Sequence, residues 1–515
     1  MGKYIIRRIL TGLLSVAAVT GIVMVLVYSF TDRNLIFAND PVFSKQKSNA
    51  KEVYKMQQWE QYGYVDYVAY PEYLLTAAKG AEYEAAAVLG RTEKEDKLVT
   101  RRYVQAFRSE YEEKGYQVVR LPGVLRGGKY QEGGEPRLFA YRDIPLTARL
   151  LGYFKNLITV DTVNYVREEI PNRGYTFTFY DPAYGGEKFS PAVLGTGTYH
   201  KYLLYFDDTF PYLHQNFITF NLGKSYSVNA GVDVTETMTT SQGSFVYREV
   251  TYPTGVKALS ADDLHSATYV PGSLGAGSDM LRTLFTDDYT GITTRKSGMS
   301  KLGYSFAIGI CAVLLSYLLA IPLGILMARK KEMLPDRLGT AYIVFILAVP
   351  SLAYIFLFKA LGGRLGLPTA FNMEKPRLLM YVLPILSLAL PAAANLMKWM
   401  RRYTVDQLGG EYVKFARSEG LAEQEIFKKH ILPNAIIPIA HGIPAGILGA
   451  LTGAIITERV YVVPGAGNLL TTAINMYDNG VIVGMTLFYG MLSVTAVILG
   501  DVLISVLDPR IKLKG

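Results

Sequence analysis

EYVKFARSEGLAEQEIFKKHILPNAIIPI, residues 411 to 439, is the stretch on which the reading of this chain turns. It is polar enough to be hydrated and patterned enough to be folded. Glu411 to Ser418 suit one short helix, Gly420 supplies a break, and Ala422 to His430 suit a second helix carrying Ile426, Phe427 and His430 at neighbouring positions. Leu432 and Pro433 then lead into an apolar segment. The spacing predicts a helix-turn-helix projection with an apolar tip, hung between two hydrophobic blocks. A plain surface hairpin is the alternative reading of the same pattern.

Working outward, a bilayer core needs about twenty apolar residues per helix. Six stretches satisfy this: Ile9 to Phe30, Leu302 to Met327, Leu338 to Phe358, Leu378 to Met397, Ala435 to Thr457 and Val481 to Leu507. The first follows Lys3, Arg7 and Arg8, as a secretory signal peptide would. Its apolar stretch exceeds the usual 7 to 15 residues of a signal core, so an uncleaved anchor is expected. The region between the first and second stretches is polar, Tyr-rich and interrupted by Gly and Pro. Half of the 515 residues are apolar, a composition that suits a membrane body with a folded soluble insert.

The net charge of +9 could suit a nucleic-acid binder, but the Lys and Arg residues sit largely where apolar blocks end. With the N-terminus in the cytoplasm, the cytoplasmic segments hold Lys3, Arg7, Arg8, Arg329, Lys330, Lys331, Arg337, Lys398, Arg401, Arg402, Lys414, Arg417, Lys428 and Lys429, and basic residues of the C-terminal tail. The short outer loops hold far fewer, although Lys359, Arg364, Lys375 and Arg377 argue mildly the other way. The positive-inside rule then predicts two cytoplasmic termini and an insert on the outer face, in a plasma-membrane, multi-pass protein. The single cysteine, Cys311, excludes an intrachain disulfide and a thiolate metal cage.

Prolines 322, 350, 384, 391, 438 and 444 fall inside the predicted spans, where each removes a backbone hydrogen bond. The fifth span carries small residues four apart, Gly442, Gly446, Ala450 and Ala454, which suit close helix packing within the chain or across a subunit interface.

The loop at 411 resembles that of the permease subunits of binding-protein-dependent ABC importers. Their coupling loop begins Glu-Ala-Ala, has a Gly nine residues after the Glu, and ends with Ile, one residue and Pro. Glu411, Gly420, Ile431 and Pro433 keep that spacing, while Tyr412 and Val413 replace the two Ala. ERVYVVPGAGNLLTTAINMYDNG, residues 458 to 480, the ending Asp508-Pro509-Arg510-Ile511 and FNLGKSY, residues 220 to 226, are similar to segments of the dipeptide and oligopeptide branch. The likeness covers the N-terminal span and the residues beyond about 300, and leaves most of the insert outside.

The resemblance implies an α-helical polytopic fold of six transmembrane helices, the type I ABC importer permease fold, with an α+β extracellular domain between helices 1 and 2. The expected divisions are an N-terminal helix over 1–30, the insert over 31–301, a five-helix core over 302–507 with its coupling loop at 411–434, and a tail over 508–515. It implies half of a pore for oligopeptides, working by alternating access in an envelope of the Gram-positive type. Expected partners are a second homologous permease, two cytoplasmic ATPases that carry the ATP and Mg, a substrate-binding lipoprotein, the peptide and membrane lipid, with no nucleic acid. Glu411, Tyr412, Val413, Ala416, Gly420, Leu421, Ile426, Phe427, Ile431 and Pro433 are the residues expected to couple this chain to an ATPase. A permease for nickel or glutathione, and a membrane-anchored peptide sensor, are the alternatives.

Catalysis by this chain is not expected, nor is a bound cofactor. Gly223-Lys224-Ser225 lacks the upstream Gly of a phosphate-binding loop, since that position is Ile218. The histidines at 200, 214, 265, 430 and 441 show no ligand spacing. No Gly-x-Ser-x-Gly elbow nominates a nucleophile. In the insert, helices are predicted over Glu72 to Leu89 and Lys97 to Lys114, and strands over Gln117 to Leu121, Tyr175 to Tyr180, Phe217 to Asn221 and Ser244 to Val250. The Tyr-rich run QYGYVDYVAYPEY, residues 61 to 73, suits either a recognition surface or ordinary packing. The insert itself is expected to receive a loaded lipoprotein or to guard the pore mouth.

Overall fold

The computed structural model describes residues 2–90, 97–162, 165–208, 212–270, 273, 279–373 and 377–507. Long apolar runs set its membrane body. The first span (Gly2–Phe30), the second (Lys301–Arg329) and the sixth (Asn479–Leu507) are single helices of 29 residues. At about 1.5 Å per residue each exceeds the roughly 30 Å hydrocarbon layer. The fourth span, Val382–Leu408, follows a 3-10 turn at Leu378–Tyr381. Among the described residues, five helical stretches are long and apolar enough to cross a bilayer, and a bent pair supplies a sixth when its halves are taken as one span.

That bent pair corrects the reading of Leu338 to Phe358 as one continuous span. Leu334–Ala348 and Ser351–Arg364 are separate helices that meet at 111°. Val349 is extended, at φ −86° and ψ 131°, because the ring of Pro350 disfavours helical backbone at the residue before it. Halves of 15 and 14 residues reach about 22 Å each, too short to cross alone. The fifth span is interrupted for one residue at Gly442, between Leu432–His441 and Ile443–Tyr461, but Glu423–Gly449 still forms a single stretch long enough to cross. Pro322 and Pro391, by contrast, sit inside helices that stay whole. The second, third and fourth spans share a core of Ala320, Met327, Ile343, Ile346, Ala393, Ala394 and Met397. The tail signature Asp508-Pro509-Arg510-Ile511 lies outside the described residues, as does Lys375.

Between the first and second spans lies an α+β region. Strands β1 (Val65–Ala69), β2 (Gln117–Leu121) and β3 (Arg137–Asp143) form an antiparallel sheet with β3 in the middle. Tyr103, Val104 and Phe107 of the amphipathic helix Leu98–Glu113 pack on Leu138 and Ala140 of β3. Further along, β4 (Gly174–Tyr180), β5 (Phe189–Thr196), β6 (Tyr202–Phe206) and β7 (Leu213–Gln215) make a second antiparallel sheet in the order β7-β6-β5-β4. The helix expected over Glu72 to Leu89 divides into Tyr70–Ala77 and Ala81–Ala87 around Gly80. The strand expected over Ser244 to Val250 begins later, at Arg248. The Tyr-rich run is core and not surface: Tyr62, Tyr64, Tyr67 and Tyr70 are all buried.

A single carboxylate fastens this region to the membrane body. Asp478, fully buried just ahead of the sixth span, accepts from Ser225 Oγ at 2.6 Å and from the backbone N–H groups of Tyr226, Ser227 and Val228 at 2.9, 2.9 and 3.0 Å. It also accepts from Val481 N at 3.1 Å, capping the sixth helix. Gly480 permits the approach, because a side chain there would collide with the Lys224 carbonyl oxygen.

Candidate functional site: a hairpin below a membrane cavity

The fourth span ends at Leu408, and Glu411–Ser418 forms a separate helix after Gly409 and Gly410. Gly420 turns the chain with φ +82°, a conformation that side-chain-bearing residues adopt at a cost. Leu421 N donates to Ala416 O at 3.2 Å, closing the turn. Arg417 and Glu423 clamp it from outside with two hydrogen bonds, 2.5 and 3.1 Å. The returning arm begins as the helical turn Glu423–Ile426, widens into a π-helical turn at Phe427–Ile431, and continues without interruption into Leu432–His441. The second arm of the hairpin is thus the start of the fifth span, not the free-standing helix expected over Ala422 to His430. A rigid arm continuous with a span carries displacement where a flexible loop would absorb it.

The ten residues expected to act together divide between two faces. Val413, Ala416, Ile426 and Ile431 are buried against one another, with Leu421 and Phe427 partly buried beside them. Burying a Val or Ile side chain stabilises by about 1.5–3 kcal/mol, so Val413, Ile426 and Ile431 hold the hairpin closed. Glu411, Tyr412, Gly420 and Pro433 are exposed. Phe415, which sequence reasoning missed, is 64% exposed and stands one helical turn from Tyr412. Its signal was present: Tyr412 and Phe415 are three apart and form a stripe beside that of Val413 and Ala416, so the apolar pattern is broader than the buried seam alone.

Two contacts tie the hairpin's roots to the spans. The Arg329 guanidinium, ending the second span, lies 5.1 Å from the Phe427 ring centroid. Arg401 of the fourth span donates twice to the Asp336 carboxylate, at 2.5 and 2.7 Å, joining the first half of the bent pair to the fourth span.

Above the hairpin, the second, fourth and fifth spans enclose a cavity of 480 Å³ bordered by Ser316, Tyr317, Asn395, Trp399, Tyr403, Gly442 and Gly446. Gly442 and Gly446, read from sequence as packing residues, line this space, with the Tyr317 hydroxyl as their near neighbour across it. Polar atoms on Ser316, Tyr317 and Asn395 give it hydrogen-bonding capacity inside an otherwise apolar bundle.

A second polar centre at the far end of the same spans also escaped sequence reasoning. Glu458, buried in the fifth span, accepts from Ser305 Oγ at 2.6 Å and from Asn468 N at 3.0 Å. Ser305 in turn accepts from Ala466 N at 2.8 Å. These bonds fold the segment from Val462 to Asn468 back onto the second span. In the α+β region, His265 is buried between Asp181 and Asp207, at 2.9 and 3.1 Å, and stacks on Tyr205 at 4.1 Å. Burial opposes the imidazolium, but the hydrogen bonds to Asp181 and Asp207 outweigh it and raise His265 above its ordinary value. Among the described residues, no group of three or more His, Cys, Asp and Glu side chains is arranged to hold a metal ion.

Residues 320–513 match the family described as binding-protein-dependent transport system inner membrane component. Over its whole length the chain is 33% identical to the oligopeptide transport system permease protein AmiC of Streptococcus pneumoniae, covering 99% of that protein. It is 29% identical to the dipeptide transport system permease protein DppB of Bacillus subtilis over 41% of this chain and 68% of that one. A crystal structure of an amino acid ABC transporter aligns with 41% of this chain and 92% of its own at 17% identity and a TM-score of 0.32. The α+β region, which the short motifs left outside the resemblance, is therefore shared along its length with a streptococcal relative. With the hairpin, the apolar spans and full-length likeness in agreement, the chain belongs to the permease subunits of binding-protein-dependent ABC importers, a membrane component and not an enzyme.

Proposed function

We propose that this permease forms half of a pore for oligopeptide uptake, pairing with a second, related permease. One of two cytoplasmic ATPases grips the exposed face of the hairpin around Tyr412 and Phe415, with ATP and Mg bound on those partners. A substrate-binding lipoprotein delivers the peptide from outside. In this reading both termini and the hairpin are cytoplasmic, residues 31–301 form an extracellular domain, and residues 302–507 form the permease core. Closure of the ATPases pushes the hairpin, and its second arm passes the movement into the fifth span and so to the 480 Å³ cavity.

The observation that carries the peptide assignment is the full-length, 33% likeness to an oligopeptide permease that includes the outer domain as well as the spans. The extracellular domain receives the loaded lipoprotein, and its deletion, leaving the six spans, lowers uptake. The test of cargo is uptake of labelled peptides of graded length into proteoliposomes containing both permeases and both ATPases, driven by internal or external ATP according to orientation. Peptide uptake that requires ATP supports the reading. Uptake of nickel or glutathione with none of peptide contradicts it.

A further inference from the structure

A cavity of 890 Å³ lies where the α+β region meets the first and sixth spans, away from the one enclosed by the second, fourth and fifth. Its size is within the ordinary range of small-ligand sites. Tyr28 contributes from the end of the first span, Arg149 from the helix Leu146–Lys155, Lys224 from the segment latched by Asp478, Glu236 from the helix Val234–Thr239 and Gly480 from the sixth span.

The charges on its walls are uncommitted. The Arg149 guanidinium carbon stands 3.9 Å from the ring centroids of both Tyr28 and Tyr64, whose planes are nearly perpendicular to each other. Among the described residues its N–H groups have no hydrogen-bonding or ion-pairing partner, and the same holds for the Lys224 ammonium and the Glu236 carboxylate. Asp233, beside Glu236, is already used: its Oδ1 accepts from Thr235 N at 2.7 Å as a helix cap. Burial, and then the neighbouring Asp233, push Glu236 above the usual carboxylate range, a strain that an arriving cation relieves.

Lys224 and Glu236 reach solvent while Arg149 is half-buried, so the guanidinium has the most to gain from a ligand that completes it. Here two cations and one anion are held on different walls, so they have not paired with each other. A guanidinium fork matches a carboxylate with two parallel hydrogen bonds. A ligand with a carboxylate at one end and an ammonium at the other satisfies both walls.

We propose that this cavity is a second binding site, for the free termini of a short peptide, with the carboxylate on Arg149 and Lys224 and the ammonium on Glu236. The choice of peptide over another zwitterion rests on the import reading above. The site would hold cargo on the insert side of the membrane body, apart from the cavity among the spans.

The test uses the full permease with its partner subunits in lipid nanodiscs, without the lipoprotein, and titrates tetra-alanine with free termini, N-acetylated or C-amidated. Glu236→Gln weakens binding of the free peptide about tenfold but leaves the N-acetylated peptide unchanged; Arg149→Gln weakens the N-acetylated peptide about tenfold but leaves the amide unchanged. Arg149→Lys, which keeps the charge and loses the fork, falls between, and melting temperatures check that each variant is folded. Effects of variant and blocked terminus that simply multiply, or no effect of any variant, overturn the site. A phosphorus NMR signal from bound lipid that disappears in Arg149→Gln while peptide binding is unchanged also overturns it, in favour of a headgroup. Uptake of tetra-alanine by the wild-type complex is measured in parallel. Uptake without the pairing pattern removes this site alone, and the pairing pattern without uptake removes the import reading alone.

Discussion

The hairpin at 411 to 439 and the α+β region between the first two spans both close around apolar side chains but place charge differently. In the hairpin the apolar side chains are inside and the charges outside: Val413, Ala416, Ile426 and Ile431 are buried, while Arg417, Glu423, Glu425 and Lys429 pair in solvent. In the α+β region charge goes inward, with His265 between two carboxylates, and Asp478, just ahead of the sixth span, takes up five donors at the junction. The aromatic residues follow the same contrast. Tyr62, Tyr64, Tyr67 and Tyr70 are internal to the insert, whereas Tyr412 and Phe415 are left on the hairpin's surface. The insert is not uniform in this, since Phe177, Phe179, Tyr180 and Phe189 of its second sheet are exposed.

The largest expected effect that can break this contrast is at the junction. Asp478→Ala strands several buried N–H groups and should cost about 4 kcal/mol, since each charge-assisted bond contributes about 1.5–3 kcal/mol and relaxation recovers part of the sum. Hydrogen exchange should show the amides of Tyr226 to Val228 losing protection with those of Glu411 to Ser418 unchanged. Loss of protection in both would mean the two regions are one cooperative unit.

Next comes the buried histidine. His265→Ala leaves two carboxylates facing each other and should lower the stability of the α+β region by about 3 kcal/mol. The pH dependence has a definite sign. Because His265 is raised in the folded state, its contribution is complete below the ordinary histidine value of about 6.5 and is lost as pH rises through the folded value. Asp207 acts in reverse. Burial alone would raise it, but the hydrogen bond from His265 and the nearby Arg295 bring it well below the carboxylate range. Its contribution is therefore present above about pH 4 and lost on acidification. Thermal unfolding of the region should be most resistant between these limits, and His265→Gln should remove the loss on the alkaline side.

The two smaller effects concern the hairpin. Phe415→Ala should change stability by less than about 0.5 kcal/mol, as for other exposed positions, yet reduce ATP-driven uptake about tenfold if this ring is a docking anchor. Arg417→Gln should have the smallest effect on stability of these, because an exposed pair gains little. An Arg417→Gln loss larger than that of His265→Ala would reverse the comparison.

What could be read from sequence follows the same division. The hairpin's first helix has the boundaries its residues suggest, Glu411 to Ser418, because its pattern is local and Gly420 punctuates it. The uninterrupted spans are legible for the same reason: hydropathy over some twenty residues needs no distant partner. Pro350 was visible, but its consequence was not. Pro322 and Pro391 leave their helices whole while at Pro350 two helices meet at 111°, a difference that the presence of a proline does not itself foretell. Asp478 reaches Ser225 across 253 positions, and His265 reaches Asp181 across 84. No spacing rule finds partners that far apart. Burial of Ile426 and Val413 was equally hidden, since an apolar stripe on a short helix does not say which of its faces is covered.

The central claim is that the hairpin is a lever held by a separate ATPase. A photo-crosslinking amino acid placed at position 415, and in a second protein at buried position 426, would be activated in membranes containing the assembled transporter. The account predicts an ATPase adduct from position 415 and none from position 426. No ATPase adduct from position 415, or its labelling by a reagent confined to the outer side of the membrane, would contradict it.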